Sequence, residues 1–349
     1  MRTLSMTNSI YAHTCQSYSE YFQSKVHAGI LYRQWMKKGS LCKDNPAFFN
    51  AKHLYERFCA ETDFSPPLLS TVRTYDETTK FLLRTHDGYE IESVKIPMKA
   101  HYTLCVSSQV GCRMGCKFCE TGRMGLLRNL TPDEIVSQVY VARFGLNFDI
   151  HNVVFMGMGE PFDNYDHVMR AIEILTDQNG LALGMQNITV STSGRIDGIE
   201  RLMNEKSLKP NLALSLNASN PTLRSDLMPL NRKYSMQALY DAVKAYCEKT
   251  KRQVLVAYVL MKDVNDSLTN ADELAAYLEG LDIKVNLIPY NAQTVDRFAS
   301  SVPEKIDAFA ERLRQHGLRV LLRNTKGSSI MAACGQLGQV KPRFGSSKW

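Results

Sequence analysis

From about Tyr102 onward, short apolar runs rich in β-branched residues alternate with longer segments of helical period. The predicted strands cover Tyr102–Ser107, His151–Met156, Asn187–Thr192, Asn211–Leu216, Gln253–Leu260 and Ile283–Ile288. Each is followed by a helical segment, and the first helix has a strong start in Thr131-Pro132-Asp133-Glu134. Six strand–helix units in roughly 220 residues favour an α/β fold built as a partial (β/α)6 barrel, because a closed barrel needs eight units.

The first hundred residues follow a different pattern. Residues 1–75 are mixed and mostly helical in period, which predicts a small accessory domain. Lys80–Arg84 and Tyr89–Ile96 are strand-like, and the Asp-Gly pair between them predicts a β-hairpin. The predicted organisation is therefore an N-terminal domain (1–75), a hairpin extension (76–101), the partial barrel (102–325) and a Gly/Ser-rich tail (326–349).

Composition narrows the class of protein. The chain is 44% hydrophobic and 22% charged, as in ordinary soluble proteins. Residues 1–29 contain no signal-like apolar run and no later stretch is long enough to span a bilayer, so we expect a cytoplasmic protein without a membrane partner. Nine cysteines, an odd number, argue against an extracellular disulfide framework. The formal net charge of +7 is compatible with RNA as a partner.

The most informative chemistry is the C-x3-C-x2-C run formed by Cys112, Cys116 and Cys119. Iron–sulfur clusters prefer short local runs of thiolates. Three thiolates leave one iron of a 4Fe–4S cluster open, and such an iron can chelate S-adenosylmethionine and reduce it. A structural zinc site needs a fourth ligand, for which Cys105 or His101 is the candidate.

Six ordered motifs surround this run. They are TLCVSSQVGCRMGCKFCETG (Thr103–Gly122), VVFMGMGEP (Val153–Pro161), ITVSTSG (Ile188–Gly194), ALSLNA (Ala213–Ala218), VNLIPYN (Val285–Asn291) and AACGQL (Ala332–Leu337). In this order they closely resemble the radical-SAM RNA methyltransferases that methylate a ring carbon of adenine, the RlmN/Cfr family. The resemblance covers roughly residues 69–339 and implies a radical-SAM partial barrel.

The resemblance also implies a set of site residues. Cys112, Cys116 and Cys119 would hold the 4Fe–4S cluster. The S-adenosylmethionine contacts would come from Gly159, Glu160, Ser191, Ser215, Leu216, Asn217 and Asn291. A carboxylate at a strand end suits the cationic amino group of the cofactor. The family usually has His at position 217, and Asn can exchange hydrogen bonds there but cannot act as a base.

Three further residues carry the family's reaction. The resemblance implies that Cys334 is methylated by a first S-adenosylmethionine and that a second yields the radical that activates this methyl group. Cys105 would then form a transient disulfide with Cys334 to release the methylated base, which is ordinary thiol–disulfide chemistry. Glu92 would accept the ring proton. No role is predicted for Glu120, which replaces the small residue of relatives.

The substrate follows from the branch of the family. Val110 places the chain nearer the RlmN branch, which implies methylation of carbon-2 of an adenosine in 23S rRNA and in tRNA. An electron donor such as flavodoxin or ferredoxin and a monomeric enzyme are expected. Tyr32, Trp35, Tyr55 and Phe58 lie at helical spacing in the predicted N-terminal domain and either stack on RNA bases or form its core.

Two other functions remain open at this point. The first keeps the cluster but assigns another radical reaction on RNA, with different regiochemistry or target, and the tail cysteine Cys334 argues against it. The second is a zinc-stabilised RNA-binding protein without catalysis, which a colourless, zinc-containing preparation would indicate.

Overall fold

The computed structural model describes residues 8–98, 101–293, 297–323 and 326–338. Its strands are β1 (Leu68–Tyr75), β2 (Thr78–Arg84), β3 (Glu90–Pro97), β4 (Tyr102–Cys105), β5 (Gln109–Cys112), β6 (Gly125–Asn129), β7 (Ile150–Phe155), β8 (Ile188–Thr192), β9 (Asn211–Ser215), β10 (Val254–Leu260), β11 (Ile283–Pro289) and β12 (Val320–Leu322). Its α-helices are α1 (Cys15–Tyr21), α2 (His27–Lys38), α3 (Lys52–Glu61), α4 (Glu120–Met124), α5 (Pro132–Tyr140), α6 (Tyr165–Thr176), α7 (Ile196–Met203), α8 (Pro221–Leu227), α9 (Met236–Thr250), α10 (Leu268–Leu278) and α11 (Pro303–Gln315).

One ten-stranded sheet organises the molecule. Its order is β1-β2-β3-β4-β7-β8-β9-β10-β11-β12, and the neighbours from β4 to β12 pair in parallel. Strands β1 to β3 extend the β4 edge as an antiparallel meander. The sheet runs from β1 to β12 without closing, so the predicted α/β fold with a partial barrel is confirmed. Its functional loops therefore share one edge, at the carboxyl ends of the parallel strands.

The helix after β4 shows how local sequence fixes these units. Thr131 and Glu134 form the predicted reciprocal capping box at the start of α5, with Pro132 at the first helical position. Every residue from Glu134 to Tyr140 is buried. A single turn of π-helix at Val141–Gly145 then ends the segment near the predicted boundary.

Two local predictions were incomplete. Residues 68–75, assigned to the mostly helical region, form the strand β1 instead. This edge strand is largely exposed, so its sequence lacks the apolar alternation that identifies a half-buried strand. The loops that carry the cysteines and the residues after β9 contain the small β5–β6 sheet, α4 and α8, which are too short to give a periodic signal.

The N-terminal helices share one apolar core with the barrel. Tyr11 and Trp35 pack against Tyr140 of α5 at ring distances of 5.0 and 5.5 Å. Tyr32 and Phe58 are fully buried in this core, which excludes them as base-stacking surfaces, while Trp35 and Tyr55 are half-buried against it. The predicted tail is described only as far as residue 338, and residues 339–349 lie outside the described part of the chain.

Candidate active site

A cleft opens at the carboxyl ends of the parallel strands. The predicted site residues that line it are Cys112, Cys116, Cys119, Gly159, Glu160, Ser191, Ser215, Asn217 and Cys334. Residues more than 200 positions apart thus meet in one space, as the motif order predicts. Cys105, Glu92, Leu216 and Asn291 lie outside its lining.

Burial disfavours the thiolate form of all three clustered cysteines. Cys112 ends β5, and Cys119 precedes the first turn of α4. Burial raises the pKa of the Cys112 thiol to about 12 and also raises the pKa values of Cys116 and Cys119. The charges of Cys119 and Cys112 further raise the pKa of Cys116. Three thiolates so placed need a positive group between them, which a bound metal centre supplies.

The number of cysteine ligands bears on the kind of metal centre. A structural zinc site needs four protein ligands, and the three clustered cysteines supply three. A 4Fe–4S cluster is held by cysteine thiolates, each on a different iron. Neither candidate fourth zinc ligand joins the group: Cys105 packs with Val94 and Ile96, and His101 faces His151.

Glu160 is a buried carboxylate held by main-chain and side-chain donors. Its Oε2 accepts from the Ser193 amide and hydroxyl, each at 2.7 Å, and its Oε1 accepts from the Phe162 amide at 3.2 Å. Burial raises the pKa of this carboxyl group, and the hydrogen bonds from Ser193 oppose the rise. A cationic amino group in the cleft would offset the remaining cost of burying the charge.

Glycine is required immediately before this carboxylate. Gly159 has a φ of +105°, and a Cβ there would lie 2.6 Å from Cβ of Gln109. The Gln109 side chain accepts from the Glu160 amide at 2.8 Å. The close approach of the two loops therefore aims Glu160 into the cleft and leaves no room for a side chain at position 159.

The loop after β9 is braced across the sheet. Asn217 has a φ of +58°, a conformation that Asn adopts more readily than most residues. Its side chain accepts from the Val259 amide at 2.9 Å and donates to the Met228 sulfur at 3.5 Å. Leu216 is fully buried and its amide donates to Ala257. Ser191 and Ser215, at the carboxyl ends of β8 and β9, line the cleft themselves.

The tail closes the cleft opposite these strand ends. Asn291 donates to the Cys334 carbonyl at 3.1 Å, which places it beside the tail. The Glu120 amide donates to the Gly335 carbonyl at 2.8 Å, and the Thr121 hydroxyl donates to the Leu337 carbonyl at 2.5 Å. The cysteine loop itself thus holds the tail, and Glu120, for which the sequence suggested no role, contributes through its backbone.

Gln293 links the cysteine loop to the tail. The Gln293 amide nitrogen donates to the carbonyls of Phe118 and Gly335, and its oxygen accepts from Arg123 at 2.8 Å. Arg123 also pairs with the Glu120 carboxylate at 2.6 Å. These side chains form a polar clamp, defined here as Glu120, Arg123 and Gln293, between the cysteine loop and the tail.

Cys105 lies behind the tail in a small apolar cluster with Val94, Ala332 and Leu337. Burial raises the pKa of its thiol to about 12, and the nearby Cys334 thiol raises it further, while Arg323 opposes the rise. Cys105 and Cys334 are both free thiols. Because the thiolate is the reactive form, Cys105 must lose its proton before it can attack another sulfur atom.

Glu92 lies on β3 and is 2% exposed. Its Oε2 is 2.7 Å from the Lys80 ammonium on β2, and both side chains are buried. Lys80 also donates to the Met331 carbonyl in the tail at 2.9 Å. Sequence reasoning missed Lys80, although a lysine inside an apolar strand signals a buried ion pair.

Comparison with known proteins supports this description. A sequence profile of the Radical SAM superfamily matches residues 106–275. The radical SAM methyltransferase of Sphaerobacter thermophilus, a solved structure, superposes with a TM-score of 0.88 at 38% identity over 94% of this chain and 98% of that one. The fold and the cleft therefore define a radical SAM protein, whose superfamily uses a 4Fe–4S cluster and S-adenosylmethionine.

The particular family follows from curated relatives. A probable dual-specificity RNA methyltransferase RlmN 1 of Protochlamydia amoebophila is 52% identical over 95% of this chain and 94% of its own length. A dual-specificity RNA methyltransferase RlmN of Nitratiruptor sp. is 38% identical over 90% and 92%. This chain belongs to the RlmN family of radical SAM RNA methyltransferases. None of its described helices is both long and apolar enough to cross a membrane.

Proposed function

We propose that this protein methylates carbon-2 of an adenosine in 23S rRNA and in tRNA, through an S-methylcysteine at Cys334 and a transient disulfide with Cys105. The dual-specificity RNA methyltransferases among its relatives support the substrate class. One observation carries the mechanism: Cys334 lines the cleft of the three clustered cysteines, and Cys105 packs against Ala332 and Leu337 of the same tail.

The cofactors would be held by residues of this cleft. Cys112, Cys116 and Cys119 would ligate a 4Fe–4S cluster and leave one iron open. Glu160 would bind the amino group of S-adenosylmethionine, with Gly159, Ser191, Ser215 and the Leu216–Asn217 loop around the rest, while Asn291 would act through the tail. When bound, these groups supply a methyl group from one S-adenosylmethionine and a hydrogen-abstracting radical from a second. Two molecules are thus used per turnover.

Three side chains would carry out the methyl transfer, the proton uptake and the release of the product. Cys334 carries the methyl group on sulfur and presents its carbon to the adenine ring. Glu92 takes up the proton that leaves the ring carbon. Cys105, once deprotonated, attacks the Cys334 sulfur: the S–S bond forms, the carbon–sulfur bond breaks, and its electron pair stays on the carbon, which takes up a proton to become the methyl group of the product. An external reductant restores the two thiols.

The surroundings of the reaction follow from the same scheme. A low-potential donor such as flavodoxin or ferredoxin would supply electrons, and the enzyme would act as a cytoplasmic monomer. The segment 1–75 would contribute to RNA binding through polar surface residues, because two of its candidate aromatic side chains are core. The tail from residue 326 would deliver Cys334.

The test is a Cys105→Ala variant produced together with its native RNA. The missing thiol leaves the covalent intermediate unresolved, so we expect a protein–RNA crosslink through Cys334, identified by peptide mass spectrometry. Sequencing the trapped RNA names the target, and nucleoside analysis of the wild-type product assigns the carbon atom. Cys247→Ala, another buried free cysteine, is the matched control. Normally methylated RNA released by Cys105→Ala would contradict the proposal.

The cluster has its own measurement. Anaerobically purified protein is expected to contain about four irons per chain and to be brown, since clusters of this type hold four irons. A colourless protein with one zinc per chain would instead support a non-catalytic RNA-binding protein.

A further inference from the structure

We propose that Lys80 is a positioning residue for the proton transfer to Glu92, because it supplies the counter-charge of the buried carboxylate and ties that carboxylate to the closed tail. This inference rests on the proposed role of Glu92 as proton acceptor. The Lys80 ammonium lies 2.7 Å from Glu92 Oε2 and 2.9 Å from the Met331 carbonyl oxygen. One cation therefore contacts both the proposed base and the segment that carries Cys334.

The strand register brings the pair together. Lys80 lies opposite Val94 and Leu82 lies opposite Glu92 in the antiparallel β2–β3 ladder. Lys80 and Glu92 are therefore diagonal neighbours on one face, within reach of long side chains. On β3 this face also carries Val94, which packs in the Cys105 cluster. The proposed base thus lies on the face of the sheet that the tail covers.

A buried carboxylate such as Glu92 needs an opposite charge beside it to remain ionised, and Lys80 provides that charge. The side chains of Lys80 and Glu92 are 4% and 3% exposed. An isolated carboxylate at such a site is strongly disfavoured and becomes neutral, and a neutral acid cannot accept a proton. The Lys80 ammonium supplies the opposite charge beside this carboxylate. The proposed transfer moves one proton from the ring carbon to a Glu92 oxygen.

The tail contact couples this charge state to the position of Cys334. Met331 has a φ of +54° and lies three residues before Cys334. In the described structure the Met331 carbonyl accepts a hydrogen bond from the Lys80 ammonium. When the tail leaves, the ammonium loses this partner and is free to reorient. The carboxylate is therefore held in one geometry only when the methyl carrier is in place.

The test compares Lys80→Met with wild-type enzyme carrying its cluster. We expect Cys334 to be methylated within about twofold of the wild-type level, because that step does not use Glu92. Complete turnover on RNA is expected to fall about 10- to 100-fold, as for loss of a general base, and the protein–RNA crosslink is expected to accumulate. Lys80→Arg, which keeps the charge, should recover most of the turnover. A merely structural lysine would lower Cys334 methylation together with turnover, and that result, like unchanged turnover, would overturn the inference.

A double-variant cycle separates this inference from the proposed function. Glu92→Gln alone should stall at the same crosslink, and adding Lys80→Met to it should change the crosslink yield less than twofold, because both act on one step. An additive loss would show that Lys80 acts elsewhere. Normal turnover by Glu92→Gln would instead refute the assignment of the base.

Two further proteins complete the design. Lys305→Met is the matched control, because Lys305 pairs with Asp263 at 2.9 Å on the surface. It should retain wild-type turnover. If Lys80→Met does not fold, Lys80→Met with Glu92→Leu removes both charges. Its crosslink yield is then compared with that of Glu92→Leu alone, and a further loss on adding Lys80→Met would overturn the inference.

Discussion

Two sides of the cleft hold their side chains by different means. The strand-end wall carries Glu160, Ser191 and Ser215, and the tail wall carries Cys334 and Gly335. On the strand-end wall, Glu160 is fixed by donors from Ser193 and Phe162, and the Ser193 carbonyl in turn accepts from the buried Arg224 at 2.7 Å. On the tail wall, Cys334 is held through its own carbonyl by Asn291. Its sulfur is placed only by the path of the chain around it.

The backbone of the tail wall is also held less firmly than the backbone of the strand-end wall. The tail passes through left-handed conformations at Gly327, Gly335 and Gly338, and is held by hydrogen bonds of about 1 kcal/mol each and by the packing of Ala332 and Leu337 in a small apolar cluster. The strand ends belong to a sheet with a continuous core. A cofactor pocket that keeps its shape is thus combined with a tail of lower local stability, which suits the proposed role of Cys334 as a methyl carrier.

The largest effect is expected on the strand-end wall. Glu160→Gln keeps the shape and the acceptor for one donor but removes the charge that is proposed to bind the cofactor's amino group. Charge-assisted hydrogen bonds contribute about 1.5–3 kcal/mol, so the affinity for S-adenosylmethionine should fall about 10- to 100-fold. Equilibrium binding to the cluster-loaded protein measures this, with the half-exposed Glu173→Gln as control. Unchanged affinity would remove Glu160 from the cofactor site.

The pH dependence of stability tests the burial of Cys105, which packs behind the tail. The folded-state pKa of its thiol, about 12, exceeds the usual value near 9, so the unfolded chain releases this proton first. The stabilising effect is complete below pH 9 and is lost as the pH rises toward 12. Its slope is about 1.4 kcal/mol per pH unit, or about 2 kcal/mol between pH 9 and 10.5. Chemical denaturation of wild-type and Cys105→Ala should show this difference, and parallel pH curves would contradict it.

The two walls also differ in how far the sequence predicted them. Glu160, Ser191 and Ser215 were expected in the site from the family resemblance, and they meet in the cleft because the carboxyl ends of parallel strands share one edge. Lys80 and Gln293 were not anticipated, because their function depends on partners distant in the chain, which one sequence does not reveal.

Side-chain direction and edge position explain the other differences. Asn291 follows β11 as predicted, but its amide turns toward the tail and not into the cleft lining. Residues 68–75 form an edge strand whose exposed side chains lack the alternation on which a sequence prediction depends. The strand ends were thus predictable from periodicity, whereas the tail contacts needed tertiary geometry.

The polar clamp should account for a measurable part of the closed tail. Gln293→Leu removes the bonds to Phe118, Gly335 and Arg123 while keeping a side chain of similar size. A loss of about 1–2 kcal/mol should speed hydrogen exchange in residues 326–338 about 5- to 30-fold. Affinity for S-adenosylmethionine should stay within twofold. Equal loosening of both walls would contradict the comparison.

The smallest effect concerns the departure from the family at position 217. Asn217→His restores the usual residue, and histidine tolerates the positive φ of this site. The imidazole cannot reproduce both the bond from the Val259 amide and the contact with Met228. Stability should fall by no more than about 1 kcal/mol, a shift of roughly 2 °C in Tm for a chain of this length. Calorimetry measures the shift, and turnover should remain within about threefold because Asn217 acts as a brace between β9 and β10. A larger loss of turnover with unchanged Tm would show that position 217 contacts the cofactor through its side chain and belongs with Glu160.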